Sequence, residues 1–168
     1  MTWLSRLFAW LRELFSNDSG FLKTPAGKEI KWRREDLPLN LCSQGLLHDD
    51  WLSVLSERVR LERALGADLF IASFSEGRVN VAYRQDDSDN ATTELLWRDD
   101  GSIISATIYL PRSWPSAERR DAAVLHELLH ALGLAHDRHP GSIMYPTVAH
   151  GGGTLWKSDI ERLRKAYG

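Results

Sequence analysis

The feature that most constrains this chain is the run His126-Glu127-Leu128-Leu129-His130-Ala131-Leu132-Gly133-Leu134-Ala135-His136. Two histidines four residues apart lie one turn apart on the same helix face, so both imidazoles can reach one metal ion. A third histidine six residues later cannot join them while the helix continues. Six residues at about 1.5 Å rise would carry it about 9 Å along the axis. Gly133 supplies the break, since glycine takes positive φ freely, ends a helix and lets the chain turn back. The fold must therefore provide a helix, a sharp turn at Gly133 and a returning segment. Three protein ligands leave a fourth position open, the arrangement of a catalytic zinc ion rather than a structural one. Glu127 follows the first ligand and is placed to take a proton from water held at that position, then pass it to a leaving amine.

Composition narrows the classes. The 168 residues suit one domain, and 21 basic against 23 acidic residues give a net charge of −2, with no basic field to attract nucleic acid. A single cysteine, Cys42, excludes an intrachain disulfide framework and a cysteine-based zinc cluster; within a strand it reads as a small core residue. No apolar run approaches the ~20 residues that span a bilayer. With no recognisable export signal, the default expectation is a cytoplasmic monomer, with unconventional export or membrane association left open.

Along the chain, residues 1–29 read as an N-terminal amphipathic helix and linker, and residues 30–168 as the catalytic domain. Leu4, Leu7, Phe8, Leu11, Leu14 and Phe15 form the helical stripe, suited either to docking on the domain or to a membrane surface or partner. Leu37–Cys42 reads as a short edge strand. A helix follows to Leu65 with Trp51, Leu52, Leu55, Val59 and Leu61 or Leu65 on its apolar side. Strands are expected at Leu69–Phe74, Arg78–Tyr83, Glu94–Trp97 and Ser102–Leu110, the last β-branched and stopped by Pro111. Helices follow at about Ser116–Leu132 and Lys157–Ala166. Strands ahead of two terminal helices indicate an α+β fold.

Eight residues past His136 lies Met144, within Ser142-Ile143-Met144-Tyr145-Pro146. Together with HELLHALGLAH, Pro140 and the closing LWKSDIERLRKAYG, this resembles the metzincin zinc endopeptidases, and within them most closely the matrixins. The resemblance covers Ser102–Gly168. It implies a zincin-like domain with a mixed twisted sheet, an edge strand lining the cleft, an active-site helix, a methionine turn and a C-terminal helix. Carried onto this sequence, it implies His126, His130 and His136 as zinc ligands, Glu127 as the base and Met144 as a buried support that is not a ligand. It also places Ser102–Leu110 as the substrate edge strand, through Ile104, Ala106 and Ile108. Tyr145 and Pro146, with the loop through Gly153, would shape the pocket beyond the scissile bond.

There are departures from that pattern. Asp137 follows the last histidine, where typical matrixins carry serine, and a supporting hydrogen bond is expected from it. Tyr145 directly follows the methionine and is not read as a ligand. Asp86, Asp87, Asp89 and Asn90, and likewise Asp99 and Asp100, read as solvated turns in preference to a Ca²⁺ site. His48, His139 and His150 read as structural or surface residues. The expected function is a zinc endopeptidase acting on protein or peptide substrates. Two alternatives stand beside it: a non-catalytic zinc-stabilised peptide-binding module, and a membrane-associated processing protease with one narrow substrate.

Overall fold

The computed structural model describes residues 20–74, 77–146 and 155–168. The N-terminal stripe of residues 1–15, the Thr147–Gly153 part of the pocket loop and His150 lie outside the described residues. The elements run β1 (Leu39–Gln44), α1 (His48–Leu65), β2 (Phe70–Ser73), β3 (Val79–Tyr83), β4 (Thr92–Trp97), β5 (Ile103–Leu110), α2 (Ala117–Ala131) and α3 (Lys157–Tyr167). The five strands form one mixed sheet in the order β2-β1-β3-β5-β4. β1, β2, β3 and β5 are parallel, and β4 alone runs antiparallel, beside β5. The α+β expectation and its mixed sheet are met.

Alternation explains which side is covered. In β3, Val79, Val81 and Tyr83 are buried while Asn80 and Ala82 are only partly so, the period-2 signature of a sheet packed mainly on one face. In β5, Ile103 is buried but so are Ala106, Ile108 and Leu110, so the parity changes midway. The change coincides with a bulge that shifts the register between Leu96 and Trp97 of β4.

Three expectations are corrected. β1 is an interior strand, between β2 and β3. The strand holding Ile104, Ala106 and Ile108 is also interior, paired on both sides, and Ala106 and Ile108 lie in the core. These three residues therefore cannot offer a free edge to substrate; the edge strand on that side is β4. Finally, the N-terminal boundary lies earlier than residue 30. Phe21 and Leu22 are core residues, Phe21 bridges Leu134, and Leu22 and Ile30 hydrogen-bond across a small hairpin.

Helix α1 has its expected span and buries Leu61 and Leu65 as expected, but the rest of its buried face differs. Leu52 and Val59 are exposed, whereas Asp50, Ser53, Val54, Glu57, Leu61, Glu62 and Leu65 are buried. The buried polar groups are partnered, as burial requires. Tyr83 donates to Asp50, Ser53 Oγ lies 2.6 Å from Asp121 Oδ1 of α2, and Glu62 Oε1 accepts from the backbone N–H groups of Leu69 (2.9 Å) and Phe70 (2.8 Å). Glu62 thereby fixes the start of β2, and Ser53 ties α1 to α2.

Candidate metal centre

Helix α2 begins at a Ser116 cap, whose Oγ accepts the Arg119 N–H, and its last two turns are wholly buried from Val124 to Ala131. Burial of this stretch holds the motif in place. Its C-terminal carbonyls would otherwise be orphaned. The Trp32 indole N–H donates to Ala131 O at 2.8 Å, and the Tyr167 hydroxyl donates to Leu132 O at 2.6 Å. The closing helix thus anchors the end of α2 through its last residue, Tyr167.

Gly133 then adopts φ 89°, and a Cβ there would lie 2.1 Å from Ile30 O. The chain turns back as expected, and His136 meets the two helix-borne histidines. One ring nitrogen from each of His126, His130 and His136 falls within 4.8 Å of the other two, a group that could hold a metal ion. His130 Nε2 and His136 Nε2 are 3.1 Å apart, close to the ~3.3 Å expected of two nitrogens bound tetrahedrally to one zinc ion at ~2.05 Å.

The tautomers suit a metal too. His126 Nδ1 sits 2.6 Å from Ile143 O and His130 Nδ1 sits 2.8 Å from Leu134 O. A carbonyl can only accept, so each Nδ1 carries the proton and each Nε2 presents a lone pair to the shared centre. Burial holds His126 down to about 4, and His130 and His136 below their ordinary value, so the rings are neutral near pH 7. The donor set is therefore three neutral, preorganised imidazoles, which fits zinc.

Glu127 is buried beside them. Its Oε2 accepts from Thr93 Oγ1 at 2.7 Å. Burial pushes its carboxyl up to about 7, opposed by the Thr93 hydrogen bond and the charge of Arg84. Thr93 belongs to β4, so the Glu127 carboxyl is tethered to the edge strand. Thr93 is a contributor that the sequence reading missed. Its only signal was membership of a β-branched pair, Thr92-Thr93, opening a strand.

The methionine turn supports the other side. Met144 is fully buried, and Tyr145 N–H closes the turn onto Ser142 O at 3.1 Å. Ile143 O orients His126, and Met144 O accepts the Asp137 N–H at 2.8 Å. Tyr145 and Pro146 are partly buried at the start of the pocket loop. The Asp137 carboxylate is paired with Arg162 Nη1 at 3.2 Å and caps the N–H of His139 at 2.8 Å. Arg162 was also missed from sequence. His139 is exposed, with its ring 3.7 Å from that of Trp156, and it joins no ligand group among the described residues. The acidic turns are engaged locally: Asp86 with Arg84, and Asp100 with Ser102 and Arg33. Among the described residues, no helix is long and apolar enough to cross a membrane.

Comparison with known families agrees with this geometry. No curated protein matches the chain significantly. The family model described as Matrixin matches residues 69–168, from the approach to β2 through the methionine turn and α3. The chain belongs to the matrixin family of metallopeptidases.

Proposed function

We propose that this protein is a zinc endopeptidase that hydrolyses peptide bonds of extended protein or peptide segments laid along β4. The observation that carries this reading is the convergence of three neutral histidines next to a buried glutamate that is itself bonded to the edge strand. Among the described residues β4 pairs with β5 on one side only, so an extended peptide can add to its other edge as a further strand. Zinc held by His126, His130 and His136 would supply Lewis acidity, polarising the scissile carbonyl and making water a better nucleophile at neutral pH.

The chain's own groups do the rest. Glu127 removes a proton from the attacking water and later delivers it to the departing amine nitrogen, so one carboxylate serves as base and then acid. Thr93 fixes the orientation of that carboxylate. Ile143 and Leu134 fix the ring planes of two ligands, and the buried last turns of α2 exclude bulk water from behind the site. Because the base is intact and anchored, the catalytic reading is favoured over a pure peptide-binding module, which has no use for a buried carboxylate there.

The test is digestion of a diverse peptide mixture by the zinc-loaded protein, read by mass spectrometry beside Glu127→Ala. New termini should appear with the wild type alone, while the variant retains zinc and loses nearly all turnover. Equal cleavage by both proteins would overturn the mechanism. Zinc binding without any cleavage would favour the peptide-binding alternative.

A further inference from the structure

Two of the three histidines are held by a helix and by a carbonyl behind each ring. His136 is not on a helix. It is held through its backbone neighbours: the Ala135 N–H donates to Gly20 O at 3.0 Å, and the Asp137 N–H donates to Met144 O at 2.8 Å. The residues that receive these two struts lie in irregular segments, so their own position needs an external brace.

One side chain touches both struts. Arg162, on α3, packs against Gly20, where an added Cβ would lie 2.4 Å from its Nε; Gly20 itself has φ 73°. Arg162 Nη1 lies 3.2 Å from Asp137 Oδ2 and 3.3 Å from Asp159 Oδ1. Asp159 has no exposed side-chain surface, and its Oδ2 accepts from Ser142 Oγ at 3.3 Å. Ser142 Oγ in turn accepts the Met144 N–H at 3.0 Å. The guanidinium therefore braces the segment before His136, the residue after it and, through Asp159 and Ser142, the turn that receives the second strut. Both carboxylates are met by the one Nη1, while Nε, Cδ and Cζ lie against Gly20, so a lysine ammonium can keep the charge but not this packing.

We infer that Arg162 is a positioning residue for His136, setting where the third imidazole sits and hence how well the site holds its metal. The inference rests on the zinc-site reading and deepens it. Outer partners of metal ligands typically control affinity by 10–100-fold.

The experiment uses the full chain. Zinc affinity is measured by competition with a chromophoric chelator, and the visible spectrum of the Co²⁺-substituted protein is recorded. Arg162→Lys keeps a cation beside the buried Asp159 and should still fold. It is expected to bind zinc about tenfold more weakly and to show an altered Co²⁺ spectrum. Arg162→Met should lose more; where it fails to fold, Asp137→Asn replaces it as the second variant. In a His136→Ala background, Arg162→Lys should change zinc affinity less than about twofold, because the residue it positions is gone. Zinc affinity within twofold of wild type in folded Arg162→Lys, or an equal loss in both backgrounds, would overturn the inference. A wild-type chain that binds no zinc would instead overturn the zinc-site reading beneath it.

Discussion

The Thr93 hydroxyl lies 2.7 Å from Oε2 of Glu127 and 3.1 Å from the same residue's carbonyl oxygen, joining the edge strand to α2 at the proposed base. Both residues are buried. A buried carboxylate without this donor would be free to turn away from the water it must deprotonate, and would lose a charge-assisted hydrogen bond of about 1.5–3 kcal/mol.

Thr93→Val keeps the shape and strand propensity while removing the donor. Turnover of a cleaved peptide should fall about tenfold, as expected where part of that hydrogen-bond energy orients the base. Zinc content should not change, because Thr93 touches no ligand. Thr93→Ser should recover most of the activity. A valine variant with wild-type kcat/KM would remove Thr93 from the machinery.

Gly133→Ala probes the turn that brings His136 home. The alanine must hold φ near 89°, and its Cβ must displace the Ile30 carbonyl, which would lie 2.1 Å away. Left-handed strain and the steric overlap together should cost about 1–3 kcal/mol or more. The variant should therefore melt several degrees lower and bind zinc more weakly. A variant with unchanged Tm and zinc affinity would show that the helix end tolerates another conformation.

The histidine motif was legible because its chemistry demands fixed offsets on one helix, and Gly133 was legible because only a turn there lets His136 return. The edge strand was not legible in the same way. Ser102–Leu110 precedes α2 in sequence, and proximity along the chain favoured it as the cleft strand. The order of strands in a sheet is a tertiary choice, and β5 is inserted between β3 and β4. A physical clue was present: β5 is almost continuously apolar or β-branched, as a central strand tends to be, whereas β4 carries the exposed Glu94, as an edge tends to. The buried face of α1 was misread in part for another reason. Asp50, Ser53, Glu57 and Glu62 count as polar in any periodicity, yet each is partnered, Glu57 by Arg60 one turn on in the same helix and the others by neighbouring elements or turns. Arg162 was invisible because an arginine on a charged helix resembles a solvated residue until Gly20 and Asp137 are brought against it.

Glu57 provides a test of the interior electrostatics away from the metal centre. Its side chain is only 8% exposed, and Oε2 lies 3.1 Å from the half-exposed Arg60 Nη1. Burial raises its pKa above the ordinary carboxyl value; Arg60 opposes the shift and Asp121 adds to it. The folded state thus holds this proton to higher pH than the unfolded state does. Stability from Glu57 is fully present in acid and is lost as pH rises through the raised value. Glu57→Gln removes that titration while keeping the size of the side chain. In zinc-free protein, where metal binding cannot vary with pH, the Tm of the variant relative to wild type should be higher at pH 7.5 than at pH 4. A relative Tm that falls between the same two pH values would mean that the Arg60 pairing outweighs burial at this position.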